Sequence, residues 1–288
     1  MPRPIVFTSL PHVIWLLGNV GQQGLVYYCT DDYSHWPSAN GHALRAAEQI
    51  LAKQAHLVLA VSHELLNRLK HVGECRYFPH AVDFDHFAST SSQIAHPRLN
   101  DIPAPRIGFF GLLYEKIDFA LLSAVAKAFP LASLVMIGPV AFCPEAFRKI
   151  PNVHLVGPQP YADLPKWIAG LDVLLLPYVR DEMIYRSNPL KLRECLATGK
   201  PTVTVDLPEA RTYAPHVRIA STTEDFVNHV RLALLETSDQ EKVALRRNTV
   251  RNERWEARAD ELLHYLRRLT SIETEPSAKK CPHLHQGT

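Results

Sequence analysis

The stretch DVLLLPYVRDEMIYRSNPLKLRECLATGKPTVTV, residues 172–205, decides the fold class. Two short runs rich in leucine and β-branched residues, DVLLLP and PTVTV, flank a segment at 189–198 with helical character. Pro189 suits the first turn of that helix, and Gly199 followed by Pro201 suits its end. A buried strand, a helix and a second buried strand in this order are typical of a crossover unit in a parallel sheet.

The same alternation continues upstream of this unit. The runs RIGFFG, SLVMIG and VHLVG precede DVLLLP and PTVTV, which gives the second part of the chain five predicted strands. Before them, PIVFTS, LVYYCT, LVLAVS and CRYFP alternate with helical stretches. The sequence therefore predicts an α/β protein with two Rossmann-like parallel-sheet domains.

A polar, proline-containing stretch without a sustained period separates the two series, so we predict an interdomain linker at 88–104. We expect an N-terminal domain over 1–87 and a C-terminal domain over 105–238. One long amphipathic helix is predicted over 239–270, and a disordered tail over 271–288. Because the first series has only four strands and begins abruptly, we expect the N-terminal domain to be incomplete.

Composition excludes several classes of function. With 31 Lys+Arg against 29 Asp+Glu, the formal net charge is +2, so no strong positive field favours nucleic acid as a partner. The five cysteines lack CxxC spacing, which favours a reducing cytoplasm over a disulfide framework. Cys281, His283 and His285 could chelate a metal, but a fourth ligand is missing and we predict no metal site.

The helix at 189–198 carries the most informative candidate site. Ser187 and Asn188 stand at its start, where Asn188 is a good N-cap. Lys191 and Glu194 fall on one face, within an arc of about 60°. A helix N-terminus with a lysine suits a phosphate group, and Glu194 could accept hydrogen bonds from ribose hydroxyls one turn deeper. The alternative is a solvated lysine–glutamate pair on an ordinary helix.

Two further segments place candidate site residues at the ends of predicted strands. In RIGFFGLLYEKIDF, residues 106–119, Gly111 and Lys116 lie where a backbone can approach a diphosphate and a cation can neutralise it. Lys116 could equally be a solvated loop lysine. In YYCTDDY, the paired carboxylates Asp31 and Asp32 follow a buried strand and could bind acceptor hydroxyls or act as a base. Capping of the next segment is the alternative for them.

Several segments together resemble a known family over roughly residues 4–265. They include PIVFTSLPHV, VYYCTDDYSHW, LVLAVSHELLNR, YFPHAVDFDHF, RIGFFGLLYEKID, NVHLVGPQPYADLPKWI and NPLKLRECLATGKPTV. These residues are similar to the retaining glycosyltransferases of the B-type fold (GT-B), in particular to the bacterial family 4 or group 1 enzymes that build surface polysaccharides. The resemblance implies two domains that face a cleft and a terminal helix that crosses back to the N-terminal domain.

The resemblance also implies roles for individual residues. Glu194 matches the glutamate that binds the donor ribose, and Lys116 is similar to the lysine that faces the donor diphosphate. Lys191 belongs to a Pro-x-Lys-x-x-Glu version of the helix that is typical of the subgroup. Arg186 stands where the first glutamate of the family's pair is expected, which is a departure from the pattern. Lys116, Lys191 and Glu194 are thus the expected catalytic residues.

The expected function is transfer of a sugar from a nucleoside diphosphate sugar to a hydroxyl of a carbohydrate or lipid-linked acceptor, with retention, in polysaccharide or glycoconjugate biosynthesis. No cofactor beyond this donor substrate is expected. The expected location is the cytoplasm, with peripheral contact at the inner face of the cell membrane as an option that the arginine-rich terminal helix suggests. One alternative is a non-catalytic remnant of this fold that binds a nucleotide sugar or acts as a scaffold. The other is a sugar-nucleotide epimerase with the same fold.

Overall fold

The computed structural model describes residues 3–36, 39–237 and 239–272. Its ten strands are β1 Ile5–Thr8, β2 Gly24–Cys29, β3 Leu57–Ala60, β4 Cys75–Tyr77, β5 Arg106–Phe110, β6 Ser133–Ile137, β7 Val153–Gly157, β8 Val173–Leu176, β9 Thr202–Val205 and β10 Arg218–Ala220. Its α-helices are α1 Gly41–Gln54, α2 His63–Leu69, α3 Phe84–Ala88, α4 Phe119–Ala128, α5 Glu145–Arg148, α6 Leu164–Ala169, α7 Glu182–Tyr185, α8 Leu190–Thr198, α9 Pro208–Arg211, α10 Thr223–Leu234, α11 Gln240–Val250 and α12 Trp255–Ile272.

The strands form two parallel sheets, which confirms the expected α/β architecture with two domains. The N-terminal sheet has the order β1-β2-β3-β4, and the C-terminal sheet has the order β10-β9-β8-β5-β6-β7. Sequence reasoning predicted five strands in the second sheet and missed β10. This strand has only three residues and lies at the sheet edge, so it leaves no long apolar run in the sequence.

The N-terminal sheet is covered on both faces. Apolar side chains of α1 and α2 pack on one face, around Leu51 and Leu65. On the other face, α12 supplies Leu262, Leu266 and Leu269, which pack against β2 and β3. The last helix of the described chain is therefore part of the N-terminal domain, as the resemblance implies.

The predicted single helix over 239–270 is wrong, because the chain forms α11 and α12 with a break at 251–254. At the break, the backbone N–H of Val82 donates to the carbonyl of Glu253 (2.8 Å), and Val82 forms a bridge with Arg254. These groups could not pair with Val82 inside a continuous helix. The predicted tail at 271–288 lies outside the described residues, except for the final residues of α12.

The predicted linker at 88–104 is a packed part of the C-terminal domain rather than a loose connection. Leu99 is fully buried in the core of that domain. The guanidinium group of Arg106 donates to the carbonyls of Leu99 and Ile102, both at 2.8 Å. The C-terminal core also includes Val82 and Phe84, so it begins upstream of the predicted boundary. Among the described residues, no helix combines the length and the apolar composition that crossing a membrane would need.

Candidate functional site

The carboxyl ends of β5 and β6 meet closely at two glycines. Gly111 has φ +146° and Gly138 has φ +142°, which are conformations that other residues rarely adopt. A Cβ atom on Gly138 would lie 2.0 Å from the carbonyl oxygen of Gly111. The backbone N–H of Gly111, however, donates to the carbonyl of Ile137 (2.8 Å). The backbone N–H of Gly111 is therefore already used within the sheet.

Lys191 fills part of the space above Gly111. A Cβ atom on Gly111 would lie 3.1 Å from Cε of Lys191. The Lys191 ammonium group donates to Glu194 (2.7 Å) and lies 4.8 Å from the centre of the Phe110 ring. Only 6% of Glu194 is exposed, so the alternative of a fully solvated pair does not fit the structure. Lys191 thus lies close to both Gly111 and Glu194.

The Lys191–Glu194 pair keeps hydrogen-bonding capacity for a ligand. An ammonium group has three donors, and the bond to Glu194 uses one of them. The bond uses Oε2 of Glu194, and Oε1 of the same carboxylate can accept from a hydroxyl. The pair can therefore hold an anion and a hydroxyl group at the same time.

The start of α8 differs from the prediction. Pro189 occupies the N-cap position, and no side chain caps the helix, so the prediction of Asn188 as N-cap is wrong. The Asn188 amide donates to the carbonyl of Val61 (2.5 Å) and to Glu209 (3.1 Å), and its oxygen accepts from Arg193. The Ser187 hydroxyl donates to the carbonyl of Ile184 (2.7 Å). Asn188 is committed to protein contacts, so the uncapped N–H groups of α8 are what remain for a phosphate.

The Lys116 side chain is partly buried and pairs with an acidic residue. Its ammonium group donates to Asp181 (2.7 Å), and 16% of its side chain is exposed. Asp181 also caps α7. Lys116 is therefore not a solvated loop lysine, but Lys191 rather than Lys116 is the cation that lies against Gly111.

Asp32 joins the two domains. Its buried carboxylate accepts from Arg186 (2.5 Å) and from Ser34, and lies 3.7 Å from Arg68. Burial alone would raise the pKa of Asp32, but Ser34, Arg68 and Arg186 lower it to about 2. Asp32 is ionised and paired, which leaves it little capacity for an acceptor hydroxyl. Arg186, which departs from the family pattern, thus has a partner across the cleft.

Asp31 has the opposite environment. Burial, followed by the charge of Asp32, raises the pKa of Asp31 to about 6. The pKa of Tyr114, in the C-terminal domain, is raised first by burial and then by the charge of Asp31. Asp31 therefore lies within electrostatic reach of the opposite domain. Of the two predicted acceptor residues, Asp31 is the one with a protonation state that can change near neutral pH.

Three functional candidates were missed from the sequence. Glu48 is buried and accepts from Tyr27 (2.7 Å) and Arg68 (2.6 Å), so it fixes the arginine beside Asp32. Tyr161 follows β7, is 52% exposed as a residue and lies within electrostatic reach of Glu194. An aromatic residue just beyond a strand end was the signal that could have identified Tyr161.

Glu209 is the third missed residue and bridges the domains. Its buried carboxylate accepts from the backbone N–H of His63 (2.7 Å), from the Tyr77 hydroxyl (2.8 Å) and from the Asn188 amide. His63 Nδ1 lies 3.0 Å from the same carboxylate. No pattern in the sequence signals this role, because its partners are far apart in the chain. Glu209 fixes the segment before α8 against the N-terminal domain.

The part of the chain that the structure describes contains no group of three or more His, Cys, Asp or Glu side chains placed to hold a metal ion. The sequence candidates Cys281, His283 and His285 lie outside that part.

A family model described as "Glycosyl transferases group 1" matches residues 104–235, which include the Gly111, Lys191 and Glu194 cluster. The match covers less than half of the chain and lies in the C-terminal domain, where it spans β5–β10.

A relative from Bacillus subtilis (strain 168), named "Putative teichuronic acid biosynthesis glycosyltransferase TuaH", is 27% identical over 169 residues, which is 55% of this chain and 42% of the relative. The chain therefore spans less than half the length of this curated relative.

Solved structures show that the chain has the GT-B fold. A sucrose-phosphate synthase from Thermosynechococcus elongatus superimposes with a TM-score of 0.75 at 16% identity, covering 93% of this chain and 74% of that one. The HepE protein of Anabaena, in complex with UDP and glucose, gives a TM-score of 0.71 at 15% identity, covering 92% and 78%. At these identities the likeness shows the fold alone, and the fold covers both domains.

Proposed function

We propose that this protein transfers a sugar from a nucleoside diphosphate sugar to a hydroxyl of a carbohydrate or lipid-linked acceptor, with retention at the anomeric carbon. The observation that carries the proposal is the Lys191–Glu194 pair against Gly111, at the carboxyl edge of the C-terminal sheet. Ligands of open parallel sheets bind at that edge. The likeness in fold to HepE bound to UDP and glucose supports a nucleotide-sugar donor.

The reaction needs stabilisation of the departing diphosphate. Lys191 and the uncapped N-terminus of α8 supply positive charge there, and Lys116 can add an N–H from the neighbouring loop. Glu194 accepts a hydrogen bond from the donor ribose. These groups donate to the diphosphate directly, and the proposal includes no metal ion and no cofactor.

The acceptor side of the proposal rests on Asp31. Its carboxylate lies within electrostatic reach of Tyr114 in the C-terminal domain and can accept a hydrogen bond from the acceptor hydroxyl. The donor phosphate then takes the hydroxyl proton as the new glycosidic bond forms and the bond to the diphosphate breaks. We place this reaction in polysaccharide or glycoconjugate biosynthesis, in the cytoplasm or at the inner face of the membrane.

A second candidate is a non-catalytic nucleotide-sugar-binding module. The Arg186–Asp32 ion pair favours it, because this pair occupies one of the two predicted acceptor carboxylates. Donor binding without product from any acceptor would support the second candidate over the first.

Replacing Glu194 with alanine should weaken donor binding roughly ten- to hundredfold, because a hydrogen bond to a charged group contributes about 1.5–3 kcal/mol. Thermal-shift titration with UDP-, GDP- and dTDP-sugars measures the change and identifies the base. Glu74→Ala, an exposed glutamate paired with Arg76, is the matched control and should bind like the parent protein. An unchanged shift in Glu194→Ala would contradict the assignment of the donor site.

The rate of transfer should fall as the pH drops through about 6, because protonated Asp31 no longer accepts the hydrogen bond that orients the acceptor hydroxyl. Stability should move in the other direction. Burial raises the folded-state pKa of Asp31 above its ordinary 3.8, so the charged form is the unfavourable one in the folded protein. Stability is therefore lost as the pH rises from about 3.8 to about 6.

The Asp31→Asn variant tests both effects together. Its melting temperature should exceed that of the parent protein at neutral pH and equal it below the ordinary pKa of 3.8. Its pH–rate profile should lack the step near 6. A step that persists in Asp31→Asn belongs to another group and removes Asp31 from the acceptor site.

A further inference from the structure

A second cavity lies outside the donor cleft and has a volume of about 390 Å³. Its polar lining comes from β9, β10 and the segment around α11. The residues concerned are Thr202, His216, Arg218, Glu236, Lys242 and Arg246. Cavities of about 300–1,000 Å³ are typical of small-molecule sites.

The position of the cavity separates it from the site described above. Thr202 is the first residue of β9, and Arg218 is the first residue of β10. Gly111 and Gly138 follow the last residues of β5 and β6. Since the sheet is parallel, the cavity lies at its amino edge and the donor site lies at its carboxyl edge.

Three cations of the cavity converge on one carboxylate. Glu236 pairs with Arg218, with Arg246 (2.5 Å) and with Lys242 (3.1 Å). Asp239 adds a weaker contact to Lys242 at 3.7 Å. Even with both carboxylates counted, three positive charges face two negative ones, so the cluster keeps an excess of positive charge.

Part of this positive charge is buried and incompletely satisfied. Only 5% of the Arg246 side chain is exposed. Burial, and then the charge of Arg218, lower the pKa of Arg246 in spite of the opposing effect of Glu236. The buried Nε of Arg218 has no hydrogen-bond partner among the described residues. A bound anion would balance the excess positive charge of the cluster.

We propose that this cavity binds the phosphoryl group of a small molecule, as a site distinct from the donor site. Two arginines and a lysine around a cavity of this size match the donors that phosphate oxygens require. The phosphoryl group can come from free phosphate or from a phosphate ester, and the volume admits both.

The cavity contacts the helix that carries the donor-site residues. Arg246 donates to the carbonyl of Gly199 (3.3 Å), and Arg247 donates to the carbonyl of Thr198 (2.8 Å). These carbonyls close the C-terminal end of α8, whose other end holds Lys191. An anion on Arg246 therefore acts on a residue that caps the donor-site helix.

Isothermal titration calorimetry of the full chain with inorganic phosphate, glucose 6-phosphate and glucose tests the proposal. We expect glucose to give no binding. Inorganic phosphate should bind as tightly as glucose 6-phosphate if free phosphate is the ligand, and more weakly if the ester is. The double variant Arg218→Gln/Lys242→Gln should bind the phosphoryl probe roughly tenfold more weakly or worse, because two charge-assisted contacts are lost.

Two controls locate the binding. Arg76→Gln/Lys149→Gln removes two exposed, paired cations and should leave phosphate binding unchanged. Lys191→Ala should also leave it unchanged while nucleotide-sugar binding is lost, which separates this proposal from that for the donor site. Lys242→Glu is a second cavity variant at a side chain that is 46% exposed, so its fold should be retained.

The proposal is overturned if no phosphoryl probe binds at millimolar concentration. It is equally overturned if Lys191→Ala abolishes phosphate binding while the cavity variants keep it.

Discussion

Replacing Lys191 with methionine is expected to lower kcat/KM for sugar transfer by about two to three orders of magnitude, the usual effect of removing one donor from a preorganised anion site. Lys191 lies against Gly111 and within hydrogen-bond distance of Glu194. Methionine keeps the apolar stem but leaves the departing diphosphate without its nearest cation. The variant also leaves the buried Glu194 carboxylate unpaired, which disfavours a second negative charge beside it.

Steady-state kinetics with the donor sugar found by thermal shift measures this effect. Lys149→Met, at an exposed lysine paired with Glu145, is the matched control and should retain full activity. Lys116→Met should cost less than Lys191→Met, because Asp181 already holds the Lys116 ammonium group. If Lys116→Met is the more damaging variant, Lys191 is not the principal cation of the diphosphate site.

Replacing Glu209 with alanine is expected to reduce the free energy of unfolding by about 3 kcal/mol, the upper end of the range for leaving a buried hydrogen-bonding group without its partner. The change leaves the backbone N–H of His63, the Tyr77 hydroxyl and the Asn188 amide without this acceptor. All of these donors lie where the two domains meet. Urea denaturation followed by circular dichroism measures the change.

The shape of the transition adds a second test for Glu209. If this residue couples the domains, the alanine variant should unfold in two steps, because each domain then loses its structure separately. Glu209→Gln keeps the size of the side chain and should fall between the parent protein and the alanine variant. A loss below about 0.5 kcal/mol, typical of surface substitutions, would show that the bridge contributes little.

Local patterns in the sequence predicted the structural features that depend on residues close together in the chain. The helix at 189–198 is observed as Leu190–Thr198, and the Lys191–Glu194 pair follows from i,i+3 spacing. The alternation of strands and helices along the chain predicted the two parallel-sheet domains for the same reason. Strands and helices can be recognised in the sequence because the hydrophobic residues of each element follow the period of that element.

Several of the unpredicted features have distant partners. Asn188 was expected to cap its own helix, but its amide donates to Val61, which is 127 positions away. Arg186 stood out as a departure from the family pattern, and the structure pairs it with Asp32, 154 positions away. No local period encodes such contacts. They form because buried polar groups at the domain interface must find partners there.

The pairing of Val82 with the segment around Glu253 has a mechanical consequence. The polypeptide passes between the domains twice, and the two passages lie side by side and are bonded to each other. Two adjacent chain segments that are bonded to each other permit bending about one axis and resist twisting about another. Domain motion in this protein should therefore occur mainly about one axis and widen or narrow the space between the two domains.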